Sequence, residues 1–176
     1  MSETVIQVTS LGKRIKGKTI LEDISFEINQ GDCVALIGPN GAGKTVLMSC
    51  ILGDKKPSSG QVLIDGKAGK AKNKIAVLLQ ENTIPNSLKV SELIGFFQSI
   101  SDNPLTNQEV QELLQFKEDQ YQQFADKLSG GQRRLLAFVL CLIDKPKILF
   151  LDEPTAGMDT STRQRFWEIV NDLKKG

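Results

Sequence analysis

The sequence predicts an α/β fold: a mostly parallel sheet, an antiparallel β subdomain on its N-terminal side and a small inserted helical lobe. Three observations carry it. Cys33–Ile37, Ile75–Leu79 and Lys147–Leu151 are short, predominantly apolar runs that read as strands covered on both faces. Near the N-terminus, Ile24, Phe26 and Ile28 alternate with Ser25, Glu27 and Asn29, which marks a half-buried antiparallel strand. From Glu81 to Leu128 such runs stop and glutamine, serine and asparagine become common, as expected of an inserted helical segment.

Taken in order, residues 4–9 and 19–28 have strand composition, and Asn29-Gln30-Gly31-Asp32 turns the chain into the run at Cys33. Val46, Leu47, Met48, Ile51 and Leu52 give the next segment a helical apolar face. Gly53 and Pro57-Ser58-Ser59-Gly60 end it, and Gln61–Ile64 before Asp65-Gly66 reads as a strand entering a turn. Ile75–Leu79 ends at Gln80. In the lobe, Ser91–Ile100 and Asn107–Phe116 are predicted helices, the second opened by a Thr106-x-x-Glu109 capping box, and the lobe is expected to be mobile. Gln132–Ile143 is an apolar helix, Lys147–Leu151 a strand ending at Asp152-Glu153, and Thr160–Lys174 an amphipathic helix with Phe166, Ile169, Val170 and Leu173 on one face. All six prolines fall between these elements, which supports the parsing.

At 176 residues the chain suits one domain. Its net charge of +1 predicts no strong attraction to nucleic acid or an anionic surface, and the lysines at 13–18 and 67–74 read as solvated loops. Cys33, Cys50 and Cys141 lack metal-like spacing and read as small buried hydrophobes in a reducing compartment. The longest apolar run, Leu135–Ile143, is less than half a membrane span. A cytoplasmic protein is expected, with any membrane association made through a partner.

The chemistry centres on Gly38-Pro39-Asn40-Gly41-Ala42-Gly43-Lys44-Thr45, a phosphate-binding loop between a predicted strand and a helix. Its glycines let main-chain N–H groups turn inward around a phosphate, and the helix start adds unpaired donors and a positive dipole end. Lys44 can reach terminal phosphates, and the Thr45 hydroxyl can ligate magnesium. Asp152, delivered by an apolar strand to the carboxyl edge of a parallel sheet, would hold that magnesium through water, and Glu153 would orient and deprotonate an attacking water. Leu128-Ser129-Gly130-Gly131-Gln132 admits two readings. Ser129-x-x-Gln132 is a capping box, yet two glycines at a helix start also present N–H groups to an external anion.

With those residues in place, the sequence resembles the nucleotide-binding subunits of ATP-binding cassette (ABC) transporters. GPNGAGKT at 38–45 corresponds to Walker A, Gln80 to the Q-loop, LSGGQ at 128–132 to the signature, ILFLDEP to Walker B with Asp152 and the catalytic Glu153, and Ala156-Gly157-Met158-Asp159 to the D-loop. A chance match to the signature is about one in several thousand for a chain of this length. The resemblance implies a single P-loop NTPase domain with 1–80 as antiparallel β plus P-loop core, 81–128 as helical lobe, and 129–176 as signature helix, Walker B strand, D-loop and helix. It implies ATP and Mg2+ as ligands, with Gln80 joining Thr45 and Asp152 at the metal and Glu153 in the catalytic step. It further implies a head-to-tail homodimer or heterodimer of cassettes. Ser129, Gly130, Gly131 and Gln132 would act in trans, Asp159 would lie in the D-loop, and permease subunits would dock on the helical lobe at the cytoplasmic face of a membrane. The D-loop form and short lobe resemble exporters of the ABC-2 type.

Two departures from the family pattern bear on these expectations. The position of the usual adenine-stacking aromatic is Ile15, so the base would be covered without stacking, a loss of roughly 1 kcal/mol and of base discrimination. The chain also has no histidine and ends at Gly176, before the family's next strand and switch histidine, so the cassette is expected to lack its C-terminal end and to be either marginally stable or self-associating. Alternatives left open are a soluble cassette ATPase acting on ribosomes or DNA, for which no basic surface is visible, and a non-hydrolysing nucleotide-binding fragment.

Overall fold

The computed structural model describes residues 3–68, 75–79, 84–85 and 87–174. The chain divides into two compact units, residues 1–72 with 174–176, and residues 73–173.

In the first unit, β1 (Thr4–Ile15) and β2 (Lys18–Asn29) form a long antiparallel hairpin, and β3 (Ser59–Ile64) and β4 (Lys67–Ala68) extend it in the order β2-β1-β3-β4. Two-residue turns make both hairpins. Lys16-Gly17 and Asp65-Gly66 have φ of 49° and 79°, and of 46° and 70°, the double positive φ whose twist matches that of paired strands. The predicted alternation holds in β2, where Ile24, Phe26 and Ile28 are half-buried between exposed Ser25 and Glu27. Ile6 pairs with Ile28 and Ile64, and Val8 with Phe26 and Val62, which builds one apolar face. The other face carries Gln7 donating to Glu27 at 2.9 Å. Register shifts between Val8 and Leu11, where Ser10 has φ 45°, so the buried positions pass from Ile6 and Val8 to the odd-numbered Leu11.

The turn at Asn29–Asp32 closes as the sequence predicts: the Asn29 N–H donates to the Asp32 carboxylate at 2.8 Å, and Gly31 has φ 83°. The next segment departs from the expectation. Cys33–Ile37 is not a strand, and Val34, Leu36 and Ile37 are 60%, 47% and 89% exposed. Apolar composition gives a segment strand propensity, but ladder bonds make a strand, and among the described residues this one has no ladder partner. Cys33 is accordingly exposed rather than buried; Cys50 is buried and Cys141 half-buried. Helix α1 (Lys44–Ile51) then buries Leu47, Cys50 and Ile51.

The second unit is built on β5 (Ile75–Leu78) and β6 (Ile148–Leu151), which pair in parallel with Ile75 opposite Ile148 and Leu78 opposite Leu151. Helices α2 (Val90–Ser99), α3 (Asn107–Leu114), α4 (Glu118–Gln122), α5 (Gly130–Leu142) and α6 (Thr160–Leu173) complete it, with a 3-10 turn at Ala125–Lys127. The Thr106–Glu109 capping box opens α3 in both directions, Glu109 N–H to Thr106 Oγ1 at 3.2 Å and Thr106 N–H to the Glu109 carboxylate at 2.7 Å. Helix α5 is buried on nearly every side from Arg134 to Leu142, as befits a central helix. One core joins Val90 and Leu93 of α2, Val110 and Leu114 of α3, Leu136 and Phe138 of α5, and Phe166 and Ile169 of α6. Leu173, assigned by periodicity to the apolar face of α6, is 51% exposed at the helix's last residue, beyond the reach of this core.

Candidate functional site

The phosphate loop is shaped by backbone. Ala42 N–H donates to Pro39 O at 3.2 Å, closing a turn whose third residue, Gly41, has φ 83°. Gly43 then caps α1 with φ 90° and no side-chain hydrogen bond to the helix start. A Cβ at Gly43 would lie 2.9 Å from Leu21 Cδ2 and 3.2 Å from Ile20 O, so glycine is required by space as well as by φ. The Lys44 ammonium donates to Gly38 O at 2.6 Å and Pro39 O at 2.9 Å, which folds the cation over the loop's own carbonyls. Thr45 is exposed on the first turn of α1, and Ile15 is 36% exposed at the tip of β1. All of these belong to the first unit.

The remaining candidates described belong to the second. Asp152 continues from β6, its N–H donating to Leu78 O at 2.9 Å. Glu153 follows with φ 45° and an exposed side chain. Ala156 N–H returns to Glu153 O at 3.2 Å and Met158 N–H to Thr155 O at 3.2 Å, so the segment from Glu153 to Met158 is a run of tight turns. It ends at Asp159, whose carboxylate accepts from the Thr162 N–H at 3.0 Å and from the Ser161 and Thr162 hydroxyls at 2.8 Å each. Those bonds, the backbone one first, hold the Asp159 carboxyl well below the usual carboxylate range.

The signature opens α5 and carries the local reading of its sequence. Gln132 N–H donates to Ser129 Oγ at 3.2 Å and Ser129 N–H to Gln132 Oε1 at 3.1 Å. The cap uses an acceptor lone pair of Ser129, so the hydroxyl proton is still available to a phosphate oxygen. A Cβ on Gly131 would meet Asp159 Oδ2 and Met158 Cα at 3.2 Å each. The fold thus brings the signature glycines against the Met158-Asp159 segment. Gln80 lies outside the described residues.

Arg134 is a residue the motifs do not announce. It is 9% exposed, and its guanidinium donates to four main-chain carbonyls: Leu79 at 2.5 Å, Asp152 at 2.8 Å, Glu153 at 3.2 Å and Pro154 at 3.2 Å. Burial pulls its pKa below the ordinary value, opposed by Cys141, Asp152 and Glu153. A signal was present in the sequence, since Arg134 falls on the helical stripe of Gly131, Leu135, Phe138 and Leu142, where an arginine is out of place unless it has acceptors.

Residues 21–156 match the family described as ABC transporter. This chain is a member of that family. It is 33% identical over 183 residues to a Nod factor export ATP-binding protein I of Ralstonia nicotianae, covering 98% of this chain and 56% of the relative, so it spans little more than half of that relative's length. It is 30% identical to a zinc import ATP-binding protein of Rickettsia bellii, over 99% of this chain and 73% of the relative. A solved ATP-binding subunit of an ABC transporter shares the fold, with a TM-score of 0.81 at 25% identity over 97% of this chain and 75% of the other. The ABC relatives include both exporters and importers, so kinship leaves the direction of transport unselected.

Proposed function

We propose that the chain binds Mg-ATP on the loop at 38–45 and hydrolyses it in a two-chain site, as the ATP-binding subunit of an ABC transporter. The observation that carries this reading is the loop itself. Gly41 and Gly43 have positive φ, α1 starts without a side-chain cap, and the Lys44 ammonium lies on the carbonyls of Gly38 and Pro39. A phosphate chain arriving at such a helix start meets free-standing backbone donors and a lysine that trades two neutral acceptors for anionic ones.

The other roles follow the motif order. Thr45, Asp152 and Gln80 would hold magnesium, and the exposed Thr45 hydroxyl and the Asp152 carboxylate are the hard oxygen donors that ion takes. When bound, the ion would neutralise charge on the phosphates. Glu153 would take the proton of the attacking water. Ser129, Gly130, Gly131 and Gln132 would meet the γ-phosphate held by a second chain, with Asp159 of the D-loop at the same junction. Ile15 would cover adenine without stacking on it.

The membrane partner would be a permease docking on the helical segment, where Phe96, Ile100 and Phe124 are 55%, 64% and 45% exposed. No helix among the described residues is long and apolar enough to cross a membrane. Attachment at the cytoplasmic face would come through that permease. The Ala156–Asp159 D-loop form and the short helical lobe support export.

The test is phosphate release from Mg-ATP against chain concentration, with Glu153→Gln as the blank. A specific rate that climbs with concentration is expected of a site completed in trans. A rate per chain that stays flat, or one equal to the blank, contradicts the proposal.

A further inference from the structure

We infer that Arg134 is a positioning residue that links the signature end of α5 to the main chain carrying Asp152 and Glu153, so that each chain's contact with its partner's nucleotide is felt at its own site. The inference rests on the two-chain ATP site proposed above. Arg134 stands five residues after Ser129, about 7 Å along the helix axis. Four of its acceptors, among the described residues, lie at the ends of the two parallel strands: Leu79 immediately before Gln80, and Asp152, Glu153 and Pro154 after β6. These are main-chain oxygens, so the guanidinium sets the path of the backbone rather than the orientation of one side chain.

A buried helix of thirteen residues moves as a unit, and a side chain in its second turn moves with it. When the N-terminus of α5 engages a phosphate, any shift of the helix is passed by Arg134 to Asp152-Glu153-Pro154. Glu153, with φ 45°, then changes its aim at the attacking water. Only a planar fork with several fixed donors can hold four diverging carbonyls. A lysine offers a point charge on a flexible stem, and a glutamine has a single amide to give.

The experiment compares Arg134→Lys and Arg134→Gln with the wild-type chain in two measurements. Amide hydrogen exchange over residues 148–158 should accelerate in both variants, at Asp152, Ala156 and Met158, whose N–H groups bond Leu78, Glu153 and Thr155. Exchange in α3 should stay as in wild type. In steady-state hydrolysis kcat should fall by about 100-fold while the ATP affinity of the loop changes by less than about twofold. Unchanged exchange at 152–158, acceleration spread over the whole chain, or wild-type kcat would overturn the inference. Failure of the wild-type chain to hydrolyse Mg-ATP would instead strike the functional reading, and the exchange measurement would still decide whether Arg134 holds this backbone.

Discussion

The two groups of candidate site residues are built by opposite means. The phosphate loop is made from main chain and empty space: Gly43 is glycine because Leu21 and Ile20 leave no room for a Cβ, and Lys44 rests on the loop's own carbonyls. The Asp152–Asp159 segment is instead gripped by side chains, by Arg134 from α5 and by the Ser161 and Thr162 hydroxyls on Asp159. One is shaped to receive an anion; the other is shaped to be held by the fold. Substitutions in the first should change binding more than stability, and substitutions of the side chains that grip the second should change stability and turnover together.

Several measurements press on that contrast. Among the described residues the exposed Glu153 side chain makes no hydrogen bond or ion pair, and Glu153→Gln should cut turnover by about a thousandfold. Its denaturation midpoint should nevertheless stay at the wild-type value, and a large shift would show that the carboxylate is structural. Phe166 is fully buried and its ring centroid lies 4.5 Å from that of Phe138, so Phe166→Ala should cost about 4 kcal/mol in urea unfolding. Arg134→Met removes the guanidinium bonds to the carbonyls of Leu79, Asp152, Glu153 and Pro154 and should cost about 3 kcal/mol, which a stability equal to wild type would refute. Gly43→Ala meets both a positive φ and the Leu21 side chain; a cost of about 2 kcal/mol is expected, with a larger proportional loss of nucleotide affinity seen by calorimetry.

The smallest effect concerns pH. Asp159 has a folded pKa depressed by its three hydrogen bonds, so its contribution is complete above the ordinary value of 3.8 and is lost as pH falls below it towards the folded value. Asp159→Asn should therefore flatten the acid limb of the stability curve below about pH 4 and leave its alkaline side alone. An unaltered acid limb would mean that these bonds are equally made when the chain is unfolded.

Much of this could be read from the sequence where local rules suffice. The Thr106 and Ser129 capping boxes, the alternation of β2, the Asp65-Gly66 turn and the strand ending at Asp152 are decided within a few residues, and all are found. Cys33–Ile37 is not a strand although it is as apolar as β5 and β6, because strand pairing depends on a distant partner. Helix α4, only Glu118–Gln122, is too short and polar to show a period, and it exists because Tyr121 is buried in the common core. Arg134 escaped for a related reason: its acceptors are carbonyls 55 and 18 residues away, which no motif encodes.

If two chains share each nucleotide, mixing two inactive variants restores activity. Lys44→Ala disables the loop of its own chain, and Ser129→Arg disables the signature offered to a partner. A mixed pair still contains one intact combination, the loop of the Ser129→Arg chain facing the signature of the Lys44→Ala chain. Phosphate release that neither variant shows alone but that returns on mixing is the predicted result. A mixture as inactive as its parts, beside an active wild type, would show that no nucleotide is shared between chains.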